Sequence, residues 1–238
     1  MPRILRLLAT AGLAALPFLA TTALSADVRQ TPAVGGFSGI RLAVPAKMEV
    51  IQGDTESVAL EGSAEDLARV ETVVEEGVLH IRSKNRVNWS WNPKIRITVN
   101  AKRIESLAIS GSGDIVARTV RSPSLKLAIS GSGDIRVPAL DTEKATVSIS
   151  GSGDVVLGGK AGTLTSHISG SGDLKADRLE TRQATVSISG SGDVAVWARD
   201  ALQVKIAGAG DVRYYGDPTV EKRIAGSGSV KRLGLAPS

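Results

Sequence analysis

One short motif, Gly-x-Gly-Asp, recurs through the second half of the 238-residue chain. Five copies read Gly-Ser-Gly-Asp, the sixth reads Gly-Ala-Gly-Asp, and the seventh reads Gly-Ser-Gly-Ser and lacks the Asp. The copies begin at Gly111, Gly131, Gly151, Gly170, Gly190, Gly208 and Gly226, with spacings of 20, 20, 19, 20, 18 and 18 residues. This period is too short for a propeller blade or a helical repeat. The chain therefore has to fold as a stack of small, similar units.

An alternating segment precedes most copies of the motif. In Leu125–Ser130, Ala145–Ser150 and Ala184–Ser189, apolar residues alternate with Ser, Thr, Lys or Ala. This period of two is typical of a strand that is buried on one side. A second short strand is expected after the motif, as at Ile135–Val137, and a polar segment such as Asp141–Lys144 is expected to return the chain as a loop. One unit is thus strand, tight turn, strand and loop.

Such a unit cannot bury its apolar side alone, but stacked units can. The sequence therefore predicts an all-β, single-domain parallel β-solenoid of the right-handed β-helix type, with coils of about 20 residues. A β-prism or a jelly-roll sandwich is the alternative. A narrow interior filled by Val, Ile and Leu would also explain why aromatic residues make up only 3% of the chain.

The glycines and the aspartate of the motif have separate expected roles. Glycine allows a positive φ and a close approach of backbones, as a coil corner requires. The expected structural glycines are Gly111, Gly113, Gly131, Gly133, Gly151, Gly153, Gly170, Gly172, Gly190, Gly192, Gly208, Gly210, Gly226 and Gly228. The corner aspartates are expected to form a column along the stack, consisting of Asp114, Asp134, Asp154, Asp173, Asp193 and Asp211.

This column raises a charge problem. Carboxylates roughly 5 Å apart would repel each other by about 0.8 kcal/mol per pair even in water. Hydrogen bonds from backbone N–H groups of the turn would offset the repulsion. A column of bound cations such as Ca²⁺ is one alternative, and a direct contact with a substrate is another. No other cofactor is expected.

Residues 1–26 have the layout of a secretory signal peptide. A basic start at Arg3 and Arg6 precedes the apolar stretch Leu7–Leu16, which is too short for a membrane anchor and is followed by Pro17. We expect export to the periplasm, the cell surface or the medium, with residues 27–36 as a linker. No later run of 18 apolar residues occurs, so no transmembrane helix is expected. Removal of the two arginines lowers the formal charge from +5 to +3, so the basic composition argues only weakly for a nucleic-acid partner. Because an exported protein rarely meets nucleic acid, we expect no such partner.

Residues 37–105 lack the motif and form a β-rich front section, before the coils of residues 106–238. The segment Ser63–Val74 is the predicted helix, with Ser63 as its N-cap. Acidic residues concentrate before Gly77 and basic residues after it. We expect these opposite charges to meet on neighbouring strands.

Two tryptophans, Trp89 and Trp91, lie within the basic stretch. On a strand both would point to one side, and Arg82, Lys84 and Arg86 add positive charge nearby. These five residues form a candidate ligand surface, suited to an anionic envelope glycan, lipopolysaccharide or a lipid headgroup. The alternative is that the tryptophans plug one end of the solenoid or cover an edge strand.

The repeated string Ile-Ser-Gly-Ser-Gly-Asp, preceded by Phe37–Ile40, Val50–Asp54 and Leu79–Ile81, carries a resemblance to a known family. It resembles the bacterial domain of unknown function described as "putative auto-transporter adhesin, head GIN domain", over about residues 35–235. The resemblance implies an exported β-helix-like protein that could be displayed at the cell surface. It supplies no catalytic residues.

The residue types argue against an enzyme. The sequence has no Gly-x-Ser-x-Gly elbow and no His-Glu-x-x-His motif, and its two histidines, His80 and His167, are expected to face outward. We expect an exported, non-catalytic β-helix protein of the envelope, used for adhesion, ligand binding or structure. A carbohydrate-active β-helix enzyme is the alternative. A lone cleft lined by charged residues would favour the enzyme, and a flat Ser/Thr/Gly face would favour binding.

The expected partners follow from this location. They are an envelope glycan or lipopolysaccharide, or another envelope protein. Association with a second copy of the chain is a further expectation, because solenoid ends need covering.

Overall fold

The computed structural model describes residues 27–84 and 93–237. It is a β-solenoid of about six turns, with coils of roughly 20 residues. This confirms the predicted fold class over the β-prism and the jelly roll.

The described residues contain 17 strands and one helix. The front section consists of β1 (Val28–Gln30), β2 (Gly39–Ala43), β3 (Ala46–Gln52), β4 (Ser57–Gly62), α1 (Ala64–Ala68), β5 (Val70–Glu75), β6 (Val78–Ser83) and β7 (Ile95–Ala101). The repeat section consists of β8 (Ser106–Gly111), β9 (Asp114–Ala117), β10 (Thr119–Gly131), β11 (Ile135–Gly151), β12 (Val155–Gly170), β13 (Leu174–Gly190), β14 (Val194–Gly208), β15 (Val212–Tyr215), β16 (Thr219–Gly226) and β17 (Val230–Gly234).

Successive coils pair in parallel and in register. Ile129 on β10 lies beside Ile149 on β11, which in turn lies beside Ile168 on β12. Inward-facing Ile, Leu, Val and Ala side chains from successive coils stack into rows that are almost completely buried. The core is therefore a narrow apolar column along the axis, in which Phe37 of the front section is the one buried aromatic side chain among the described residues.

The expected polar return loops are part of the strands, and that prediction was wrong. β11 runs without interruption through Asp141–Lys144 and stays paired with the coils on both sides. Thr142 points inward, is 6% exposed, and donates its hydroxyl to the carbonyl oxygen of Lys144 at 3.2 Å. The segment can stay in the sheet because its charged side chains point into the solvent while its one inward hydroxyl finds a partner.

Both glycines of a corner meet a spatial requirement. Gly111 and Gly131 have φ values of +114° and +135°. A Cβ on Gly111 would meet nothing within 4 Å, whereas on Gly131 it would lie less than 3.0 Å from the carbonyl oxygen of Gly111. A Cβ on Gly133 would collide in the same way with the carbonyl oxygen of Gly113, although Gly133 has no positive φ. At its corner, each coil therefore rests directly on the backbone of the coil before it.

The front section adds antiparallel strands to the parallel stack. β2 pairs in parallel with β6 and β8, and β3 pairs in parallel with β7 and β9. β4 pairs antiparallel with β1 and β7, and β5 pairs antiparallel with β6, so these strands continue the sheet beyond the first coil. At the opposite end of the described stack, Ile224 and Leu233 are 40% and 44% exposed.

The helix is shorter than predicted. It spans Ala64–Ala68, although Ser63 caps it as expected by accepting a hydrogen bond from the Asp66 N–H at 3.1 Å. β5 begins at Val70, within the segment that was expected to be helical, and pairs with β6. β-Branched residues dominate residues 70–74, and their preference for strands outweighs the helical pattern. Within the described ranges, no helix has the length and apolar character needed to cross a membrane.

Candidate functional site

The strand segments that lead into the corners form one long face. Because the isoleucine of each segment points inward, the residues on either side of it point outward. The outward residues directly before the corners include Ser110, Ser130, Ser150, Ser169 and Ser189. A second column of outward residues lies two positions earlier in each strand and consists of Arg41, Ala108, Ala128, Ser148, His167, Ser187 and Lys205. We call these two columns the hydroxyl face.

The hydroxyl face contains a solvent-open trough of about 680 Å³. Its floor consists of small Ser and Ala side chains from successive coils, above isoleucines that are buried in the core. The ionisable side chains of the lining are Arg41, His167 and Lys205, and no carboxylate belongs to it. His167 is exposed, with Ser148 and Ser187 as its neighbours in register on the adjacent coils.

Sequence reasoning identified the Ser-rich face and the outward position of His167, but it missed two residues of the trough. Arg41 joins the face only because β2 pairs with β8, where Arg41 lies beside Ala108. Lys205 could have been found, since it stands where the preceding coil carries Ser187.

The corner aspartates form the expected column, and the backbone supplies their hydrogen bonds. The Asp154 N–H donates to Oδ1 of Asp134 at 3.0 Å, and the Asp173 N–H donates to Oδ1 of Asp154 at 3.1 Å. The same bond is made at 3.3 Å from Asp134 to Asp114, at 2.9 Å from Asp193 to Asp173 and at 3.0 Å from Asp211 to Asp193. Each carboxylate thus helps to fix the corner of the next coil, and we call this row of bonds the Asp ladder.

Basic side chains from alternate coils neutralise three of the six aspartates of the Asp ladder. The ion pairs are Arg136–Asp134 at 2.8 Å, Lys175–Asp154 at 2.9 Å and Arg213–Asp193 at 3.2 Å. The hydrogen bond from Lys175 to Asp154 raises the pKa of Lys175. Sequence reasoning missed these bases, whose signal is an Arg or Lys two residues after the corner Asp in every second coil.

The Asp ladder ends at Ser229, which stands in place of an aspartate. Its N–H and its hydroxyl both donate to Oδ1 of Asp211 at 2.8 Å, and these bonds lower the pKa of Asp211. Over residues 27–84 and 93–237, no group of three or more His, Asp or Glu residues is arranged to hold a metal ion. The cation column therefore stays a prediction, while the backbone bonds and the bases already offset the repulsion.

Part of the candidate ligand surface falls on residues that the structure does not describe. Arg86, Trp89 and Trp91 lie outside the described residues. A depression of about 550 Å³ lies next to this segment in the chain, at Pro93. Its charged lining residues are Lys47, Lys94, Arg96 and Asp114.

The other two residues of that surface have partners within the chain. Arg82 on β6 donates to Glu71 at 2.7 Å and to Glu75 at 2.8 Å on β5, as expected for opposite charges on neighbouring strands. The hydrogen bond from Arg82 lowers the pKa of Glu75. Nζ of Lys84 donates to the carbonyl oxygen of Ala68 at 2.9 Å. A ligand at this surface would therefore have to compete with existing bonds for both cations.

The family described as "Putative auto-transporter adhesin, head GIN domain" matches residues 36–218. The chain belongs to the head GIN family. A solved structure of a "putative adhesin" from Bacteroides fragilis is 22% identical to this head GIN chain, with a TM-score of 0.83. The match covers 87% of the head GIN chain and 97% of the Bacteroides fragilis protein. A "putative lipid binding protein" from Parabacteroides distasonis has 23% identity and a TM-score of 0.70, with 88% and 98% covered.

A third solved structure, a "putative adhesin" from Parabacteroides merdae, has 20% identity and a TM-score of 0.69, with 88% of the head GIN chain and 97% of that chain covered. At these identities the three structures show a shared fold. No curated protein matches the chain.

The ionisable side chains in the trough of this head GIN chain are widely separated. His167 and Lys205 are two strand spacings apart, about 10 Å, and Arg41 is farther away on the other side. A catalytic acid and base have to reach the same reacting atoms. What the trough offers is a row of hydroxyl groups, which both donate and accept hydrogen bonds, together with separated positive charges.

Proposed function

We propose that this head GIN chain is an exported, non-catalytic β-solenoid of the bacterial envelope that binds an envelope ligand through its hydroxyl face. The trough of about 680 Å³ is the observation that carries the proposal. It extends over successive coils, so its floor repeats the same hydroxyl group at each strand spacing of about 4.8 Å. A repeated floor of this kind suits an extended ligand held by many similar contacts.

The side chains of the trough weigh against the enzyme alternative. A polysaccharide-processing solenoid needs paired carboxylates, or another acid and base, facing one cleft. The trough has no carboxylate in its lining, and His167 has only serines beside it in register. The carboxylates of the Asp ladder repeat from coil to coil and accept hydrogen bonds from the backbone, which is a structural use.

The proposed location rests on the sequence and on the family. The signal peptide proposed for residues 1–26 lies outside the described residues. The description of the family as an adhesin, and the same word in the names of solved relatives, support a location at or beyond the cytoplasmic membrane. The proposed partners are an envelope glycan or lipopolysaccharide, or another envelope protein, with Trp89 and Trp91 as a second contact.

Cell fractionation combined with protease treatment of intact cells tests this function. We expect the protein in the envelope fraction, and we expect Ser150→Trp, which fills the trough, to weaken its retention there. Ser152→Trp is the matched control, because Ser152 is also exposed but lies in the corner, outside the trough lining. A cytoplasmic protein, or equal retention of the two variants, would contradict the proposal.

The tryptophan pair is tested in the same assay. Weaker retention of Trp89→Ala/Trp91→Ala would support the second ligand surface. Unchanged retention together with a lower melting temperature would support the plug instead.

A further inference from the structure

Arg41 differs from most other arginines of the described residues in how its charge is paired, whereas Lys205 resembles most of the lysines, which also lack a carboxylate partner. Most arginines elsewhere contact a carboxylate, as Arg118 does with Glu49 at 2.8 Å and Arg199 with Glu180 at 3.1 Å. Neither Arg41 nor Lys205 has an acidic partner among the described residues. The hydroxyl face thus carries positive charge that the protein itself leaves uncompensated.

The two cations stand far apart on one line. Arg41 and Lys205 belong to the same outward column, separated by six strand spacings through Ala108, Ala128, Ser148, His167 and Ser187. Six spacings of about 4.8 Å give about 29 Å. Small side chains fill the positions between them except at His167, so a ligand can lie flat along the whole distance. A compact ligand could reach only one of the two cations.

We propose that the trough binds a linear acidic polysaccharide laid along the solenoid axis, with Arg41 and Lys205 contacting its carboxylate or sulfate groups. This inference rests on the proposed function and names its ligand class. The serine hydroxyls bind the sugar hydroxyls, because a hydroxyl can donate to one group and accept from another. Arginine and lysine bind the acidic groups through charge-assisted hydrogen bonds.

Two other polyanions fit the trough less well. Single-stranded nucleic acid is usually held by several aromatic side chains that stack on its bases, and the trough lining contains no Phe, Tyr or Trp and a single imidazole, that of His167. An anionic membrane surface is usually bound by a protruding face with apolar side chains that enter the lipid. The isoleucines of this face are instead buried beneath the floor.

Binding of the purified protein to polygalacturonate, a linear polyuronate, is the direct test, with neutral dextran as the comparison polymer. We expect Arg41→Ser/Lys205→Ser to weaken binding by about tenfold and to reduce its dependence on salt, since two ion pairs are lost. Lys160→Ser/Arg103→Ser removes the same charge from exposed positions outside the trough lining and should leave the affinity within about twofold. A disaccharide of the same uronate is too short to span the trough, so it should bind the parent protein and both double variants with similarly low affinity.

A second variant tests the floor without removing a cation. Ser150→Glu places a carboxylate at an exposed position in the middle of the trough and should weaken polygalacturonate binding while the melting temperature stays unchanged. Three results would each overturn the inference: equal losses of affinity in the two double variants, binding to anionic phospholipid vesicles or duplex DNA in place of polygalacturonate, or no binding to any of these polyanions.

The inference and the proposed function can fail separately. If the trough variants bind polygalacturonate as the wild-type protein does, while Ser150→Trp still loses envelope retention, the inference falls and the proposed function stands. If the wild-type protein is not retained by the envelope at all, the proposed function falls.

Discussion

Three corner glycines allow the two reasons for glycine to be measured separately. Gly111 has a positive φ but open space around the position of a Cβ, and Gly133 has no positive φ but would press a Cβ against the carbonyl of Gly113. Gly131 combines a positive φ with the same kind of collision, against Gly111. Substituting alanine at each position therefore isolates the backbone strain, the collision and their sum.

The expected costs differ in size. At Gly111 the unfavourable φ costs about 1–3 kcal/mol, of which reduced freedom of the unfolded chain returns about 0.4–1 kcal/mol. At Gly133 the neighbouring coil has to move away by about 1 Å, because real Cβ contacts stay above about 3 Å. That movement strains the corner bonds from Ser132 and Gly133 to the carbonyl of Gly111, at 2.9 and 3.2 Å. With about 1 kcal/mol for each weakened bond and 1–3 kcal/mol for the overpacking, the cost is about 3–5 kcal/mol.

Thermal unfolding followed by far-ultraviolet circular dichroism measures the series. We expect Gly111→Ala to lower the melting temperature by a few degrees, Gly133→Ala to lower it by about 10 °C, and Gly131→Ala to lower it most. Gly53→Ala is the control, because a Cβ there meets nothing within 4 Å and φ is not positive. If Gly111→Ala were as damaging as Gly133→Ala, the close approach of coils would not be the reason for the glycines.

Three further predictions concern single side chains. The buried Ser166 hydroxyl has no hydrogen-bond partner among the described residues, so Ser166→Val should raise the free energy of urea unfolding by about 1–3 kcal/mol, and the exposed control Ser150→Val should change it little. Lys222 occupies an inward position of β16, so Lys222→Val should cause concentration-dependent association in light scattering, unlike the outward Lys231→Val. The pKa of Asp211 is lower in the folded than in the unfolded chain, so its carboxylate stabilises the fold above the unfolded-state pKa of about 3.9, and this stabilisation is lost as the pH falls. Between about pH 5 and pH 2, the melting temperature of Asp211→Asn should therefore fall less than that of the wild-type protein.

The coil repeat could be read from the sequence because its signals are local. Alternation identified the strands, and the near-constant spacing of the motif placed Ile129, Ile149 and Ile168 in one row, as the register shows. The polarity of Asp141–Lys144 suggested a loop, but polarity alone cannot separate a loop from a strand whose charges face the solvent. The same weakness affected Ser63–Val74, where a capping signal was extended through residues that form a strand.

The candidate site depended on pairing between distant segments, and this explains what sequence reasoning missed. Arg41 reaches the trough only through the pairing of β2 with β8, which joins it to Ala108 across the front section. No periodicity links those two positions in the sequence. The bases of the Asp ladder, in contrast, follow a pattern of alternate coils that a comparison of equivalent positions would have found.

The departures from the repeat indicate more about function than the repeat itself. A solenoid built of identical coils would offer each coil's edge to the next, so something in the sequence has to stop the stack. Ser229 removes the carboxylate that a following corner would need, and Lys222 places a charge where earlier coils bury Val204 or Val186. Arg41 and Lys205 depart from the pattern on the outside in the same sense, by placing charge among small neutral residues. If Ser229 and Lys222 limit association at the end of the stack, ligand binding along its side depends on the trough alone. Polygalacturonate binding should then be unaffected by Lys222→Val.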